Sequence, residues 1–195
     1  MTHRSMLVGL APTILIRAGG AVEVHGWAGD RLEAETGSRW GLRLGQRRGT
    51  FTVEIGGDGV LRLPTGSELT VYSGKSATVT GVDGRVTIHA GGGAFLRGAG
   101  TLLHLSAGGL ADIEAEEIGA GETRLTAGSH LRCAIRQLRD TRILVSDVGG
   151  RWEGRIGHGR ARLLLTAGGD VTIVSAQALE PQPPHFILGR IERPA

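Results

Sequence analysis

Four glycine-bearing phrases recur at an interval of 20 residues: Ser106-Ala107-Gly108-Gly109, Thr126-Ala127-Gly128-Ser129, Ser146-Asp147-Val148-Gly149-Gly150 and Thr166-Ala167-Gly168-Gly169. A fixed period of this length means stacked units, because one short unit cannot bury its apolar face except against a neighbour. Between the phrases apolar and polar residues alternate, and period two is the mark of a half-buried strand. Gly makes up 34 of 195 residues and aromatic residues only 4%. Abundant Gly among Val, Leu, Ile and Thr suits many short strands joined by tight corners. No helical period competes.

Alignment of the strands by their apolar pairs gives Leu69/Val71, Val86/Ile88, Leu103/Leu105, Thr123/Leu125, Ile143/Val145 and Leu163/Leu165, in steps of 17, 17, 20, 20 and 20 residues. A second strand per unit keeps nearly the same register: Ala77/Val79, Ala94/Leu96, Ala111/Ile113, Leu131/Cys133 and Val171/Ile173. Around Asp147-Val148-Gly149-Gly150 the second pair slips by one residue, with Trp152 in its place, which predicts a bulge. The expected fold is all-β: a single-domain parallel β-solenoid, or β-helix, with rungs of 17–20 residues stacked about 4.8 Å apart. Residues 1–20 read as a lead-in strand or cap, residues 21–176 as the solenoid, and residues 177–195 as a Pro-rich tail that caps its own chain or docks on another. The strands of residues 21–60 are irregularly spaced, and their pairing is left open. Among outward residues, Arg97 should stack on Glu114 and Asp112 on Arg132, and opposite charges so placed help lock register.

The formal net charge is +3, Lys75 is the single Lys, and no run of basic residues marks a nucleic-acid surface. Cys133 is alone, which leaves no intramolecular disulfide and no cysteine metal site. No apolar stretch reaches the roughly 18 residues of a membrane span. The run from Met6 to Ile16 is broken by Pro12 and ended by Arg17, so a signal peptide is not expected. A cytoplasmic location is the expectation, with an extracellular one as the alternative.

Chemistry-bearing patterns are sparse. Gly74-Lys75-Ser76 lacks the upstream Gly of a phosphate loop, because position 69 is Leu. Outward His89 and His104 form no column of repeated His, so no zinc shell is expected. Asp112, Glu114, Glu116 and Glu117 form the densest acidic cluster, but two of them face Arg partners. Cys133 aligns with inward Val79, Leu96 and Ile113, where a thiol acts as a small hydrophobe. No catalytic, cofactor-binding or metal-binding residue is therefore assigned. Two surfaces remain. Leu144, Leu164 and Val174 are outward aliphatics which, with Phe186, Ile187 and Leu188 of the tail, make a candidate contact surface. Tyr72, His89, Phe95 and His104 are outward ring residues that make an alternative binding face.

The run Leu63-Pro64-Thr65-Gly66-Ser67-Glu68-Leu69-Thr70-Val71, followed by Ser73-Gly74-Lys75-Ser76-Ala77-Thr78-Val79-Thr80-Gly81-Val82-Asp83-Gly84, resembles the core of the DUF4097-type adhesin family. Thr166-Ala167-Gly168-Gly169-Asp170-Val171-Thr172-Ile173 repeats the phrase near the end. The likeness covers most of residues 21–176 and implies a β-solenoid without known catalysis, "adhesin" being there a label for a fold. Three functions follow in order of expectation. The first is a non-enzymatic scaffold that self-associates, or binds another protein, through its ends and tail. The second is an adhesin-like module recognising a glycan or protein surface. The third is a β-helix enzyme acting on polysaccharide.

Overall fold

Alternation of buried and exposed residues runs through nearly every segment of the computed structural model, which describes residues 1–38, 41–138, 141–147, 150–156, 161–175, 180–181 and 190–192. Every regular element among them is a strand. In chain order these are β1 (Thr2–Leu7), β2 (Thr13–Ala18), β3 (Val22–Trp27), β4 (Arg31–Thr36), β5 (Leu42–Arg47), β6 (Thr50–Ile55), β7 (Gly59–Pro64), β8 (Glu68–Ser73), β9 (Ala77–Thr80) and β10 (Arg85–Ala90). There follow β11 (Ala94–Ala107), β12 (Ala111–Ile118), β13 (Glu122–Ala127), β14 (Leu131–Gln137), β15 (Thr141–Asp147), β16 (Gly150–Ile156), β17 (Ala161–Ala167), β18 (Val171–Ser175), β19 (Glu180–Pro181) and β20 (Arg190–Glu192).

The strands pair in two rows. One row runs β5, β6, β2, β8, β10, β11, β13, β17, β15, β16, β19. The other runs β1, β4, β7, β3, β9, β11, β12, β14, β18, β20. Long β11 takes part in both rows and makes them one sheet, which curls barrel-like and nearly closed around a single aliphatic core. Orientation is mixed. The middle is parallel, whereas β1–β4, β4–β7, β5–β6, β15–β16 and β16–β19 are antiparallel. A uniformly parallel coil is therefore not what the ends adopt.

Several inward pairs lie as the alternation predicts. Leu69, Val71, Val86, Ile88, Thr123 and Leu125 are buried, as are Ala77, Val79, Ala111, Ile113, Leu131 and Cys133 in the second row. Fully burying one Leu or Ile contributes about 1.5–3 kcal/mol, so single units hold together only as a stack. Leu103 departs from this. A shift between Val86 and Thr87 makes it an extra residue opposite β10, and Leu102 takes the inward place.

The order at the end of the row also differs from the expected one. β17 lies between β13 and β15: Leu125 pairs with Leu165, and Leu165 in turn with Val145. Asp147 pairs with Gly150 and Val145 with Trp152 in an antiparallel ladder, so the chain reverses there and the expected bulge is a hairpin. At the other end β2 lies inside the sheet between β6 and β8, with Ile14 and Ile16 buried.

A column of glycines explains this order. The N–H groups of Gly74, Gly91, Gly108, Gly128 and Gly168 each donate to a carbonyl of the strand end below, at 2.9–3.1 Å. A Cβ on any of these five would lie 2.0–2.4 Å from the carbonyl oxygen of the glycine beneath it. Only glycine permits so close an approach of backbones. The phrase at 146–150 has Val148 where its siblings have Gly, which makes it the poorer match for the step above Gly128. Gly168 takes it instead, with Gly128 oxygen 2.3 Å from its would-be Cβ.

A groove of polar edges beside the glycine corner

The register of the first row sets six outward residues side by side on six neighbouring strands: Arg43, Glu54, Arg17, Tyr72, His89 and Ser106. They lie outward because their neighbours (Ile16 and Ala18, Val53 and Ile55, Val71 and Ser73, Ile88 and Ala90) point into the core. Beside them the corner glycines Gly19, Gly74 and Gly91 carry no side chain, which leaves an open groove of about 1080 Å³.

Tyr72 and His89 stack with ring centroids 4.8 Å apart and planes 10° from parallel. His104, two residues before Ser106 on β11 and opposite Thr87, lies 4.9 Å from His89 at 38°. Because the two rings cover each other, Tyr72, though 42% exposed, turns its edge outward together with that of His89. Burial holds the His104 pKa below the ordinary histidine value, and His89 and Arg124 add to this. Arg17, Arg43 and Glu54 are exposed, and none makes an ion pair or side-chain hydrogen bond among the described residues.

Three of the four expected ring residues thus come together. Phe95 does not, because it pairs with Thr78 and Asp112 in the second row. Leu144 and Leu164 are paired neighbours, half-buried, flanked by Arg124 and Glu153. Val174 is in the second row opposite Ala134. Phe186, Ile187 and Leu188 lie outside the described residues.

Lys75, Arg97, Asp112 and Glu114 have structural partners. Lys75 Nζ is 3.8 Å from Asp58 Oδ1, which also accepts the Ala21 N–H at 2.7 Å. Arg97 bonds to Asp112 rather than stacking on Glu114, because the β11–β12 register shifts after Leu96. Arg132 holds the same carboxylate at 3.1 Å, and Glu114 pairs with Arg136 at 3.3 Å. Burial would raise the Asp112 pKa, but hydrogen bonds from Arg97 and Arg132 outweigh it and hold the carboxyl below the usual range. Burial pushes the Cys133 thiol up to about 12, which leaves no thiolate to react.

Arg17, Arg43 and Glu54 were missed because their strands lie far along the chain from Tyr72. A signal existed for Arg17: Ala18-Gly19-Gly20 is the same phrase as Ala90-Gly91-Gly92 and Ala167-Gly168-Gly169. That phrase marks β2 as a member of the glycine column.

No family model and no curated protein matches the chain, so the resemblance to the DUF4097-type family gains no support from a match. Among solved structures the chain is similar to a candidate cell adhesion protein from Clostridium sporogenes, at 8% identity and a TM-score of 0.41. The likeness covers 89% of this chain and 99% of that one. At this score it carries no inference about fold or function.

Proposed function

We propose that the chain is a non-enzymatic β-solenoid binding module, whose two strand rows are faces of the coil, and that it holds a carbohydrate chain in the groove from Arg43 to Ser106. The observation that carries this reading is the line of six outward side chains at one register beside a corner without side chains. Neighbouring strands lie about 4.8 Å apart, so donors and acceptors recur at a short, constant interval along the groove. A polyhydroxylated chain with its own short repeat matches such a line. An apolar small molecule would instead want an enclosed apolar pocket. Cleavage of a glycosidic bond ordinarily takes two carboxyl groups, and Glu54 is the single carboxylate among the groove's lining residues. Self-association through the ends has less support. The edge strand β5 exposes Arg43, Gln46 and Arg47, and charged edges resist pairing with another sheet.

A panel of soluble polysaccharides titrated against the purified protein tests the proposal. Saturable binding to at least one of them is expected, with Tyr72→Ala lowering affinity about ten-fold while the melting temperature holds. Binding to none, or full binding by Tyr72→Ala, would refute it.

A further inference from the structure

We propose that the groove selects an acidic sugar, a residue carrying a carboxylate, which the Arg17 guanidinium receives beside Tyr72. This rests on the carbohydrate reading above and narrows it to a substrate class.

The charges along the line are Arg43, Glu54 and Arg17, a net excess of one cation before His89 is counted. Such charges on neighbouring strands commonly pair and lock register. Here none is within ion-pair distance of another, and all three are solvent-exposed. In the second row, by contrast, Asp112 and Glu114 are paired, in Arg97–Asp112–Arg132 and Arg136–Glu114. Arg17 and Arg43 thus line the groove with no carboxylate partner of their own among the described residues.

Both cations are Arg, whose planar fork matches a carboxylate in two-point geometry; a Lys would offer only a point charge. Arg17 has Glu54 on one side and Tyr72 on the other. A ligand carboxylate is repelled from the Glu54 side and directed to the Tyr72 side, where the phenol hydroxyl can donate to it. Glu54 then faces the neighbouring sugar and accepts from its hydroxyls. The glycine corner lets the sugar ring approach the backbone at Gly74 and Gly91.

Polygalacturonate and its fully methyl-esterified form share one backbone and differ in charge, which makes them the probes. Isothermal titration of wild-type protein is expected to show at least ten-fold tighter binding of the acid form. Arg17→Gln should remove that preference by lowering affinity for the acid form about ten-fold, the scale of one charge-assisted hydrogen bond, with the ester unaffected. Glu54→Gln should leave acid binding equal or tighter. Arg17 is exposed, so an unchanged melting temperature is the control for folding.

Equal binding of acid and ester, or an Arg17→Gln variant that keeps the preference, overturns this inference and leaves the carbohydrate reading in place. Poly-glutamate binding as tightly as polygalacturonate overturns the sugar assignment in favour of an acidic peptide. Failure of every polysaccharide to bind overturns the parent reading and this inference together.

Discussion

At Gly108 a methyl group would lie 2.2 Å from the carbonyl oxygen of Gly91, and the atom it meets is backbone with no room to yield. Gly108→Ala should therefore destabilise the protein by about 1–3 kcal/mol or more, the range of overpacked interiors. Gly37, with nothing within 4 Å of its would-be Cβ, is the matched control. Its change to Ala should be neutral or slightly stabilising through the unfolded chain. Urea denaturation of the two variants decides this, and equal midpoints would remove the glycine column as a determinant of the fold. Residue-level reading of the sequence went far on this point, because the Ala-Gly phrases were visible. It fell short at Val148, whose meaning depends on knowing that the matching glycines touch one another. Similarly, the ring stack of Tyr72 and His89 was within reach of alignment, whereas Arg17 required the position of β2.

Among the elements, the β5–β6 hairpin was the least legible. Its turn is Arg48-Gly49, with φ of 52° and 82°. Two successive positive φ values define the type I′ turn, which the right-handed twist of paired strands favours and which Asn-Gly or Asp-Gly usually announces. Arg48 is the one non-glycine residue with positive φ among the described residues, and it conceals the signal. A left-handed conformation costs an ordinary L residue roughly 1–2 kcal/mol, and Asn tolerates it better. Arg48→Asn should raise stability by about 0.5–1 kcal/mol, read as a higher denaturation midpoint at unchanged slope. A lower midpoint would mean that Arg48 makes a contact worth more than its strain. The β15–β16 hairpin was hidden differently, since its apolar pair Ile143/Val145 copies the inward pattern of its neighbours.

At the scale of the molecule, alternation and period foretold an all-β chain and most of the parallel register in its middle. They could not order strands carrying interchangeable apolar pairs. The order found here is testable by cross-linking in a Cys133→Ala background. Thr126 pairs with Thr166, and Thr166 with Ser146. Neighbouring strands lie within disulfide reach, whereas strands two apart, at about 9–10 Å, do not. The pair Thr126→Cys/Thr166→Cys should oxidise readily in the native state, and Thr126→Cys/Ser146→Cys should not. Native cross-linking of the second pair would restore the simple succession of rungs.

That order has a consequence for how the chain is made. During synthesis β15 emerges before β17, and its Ile143/Val145 pair offers β13 much the same apolar match that Leu163/Leu165 brings later. The nascent chain is therefore expected to lay β15 on β13 first, then surrender that site when β17 arrives with the glycine that fits. The strand that loses the contest is carried outward, where it turns back on itself with β16. The Thr126→Cys/Ser146→Cys pair should then trap early in refolding and cease to trap as the native state accumulates. A pair that never traps would mean that the edge of β13 away from β11 stays open until β17 arrives.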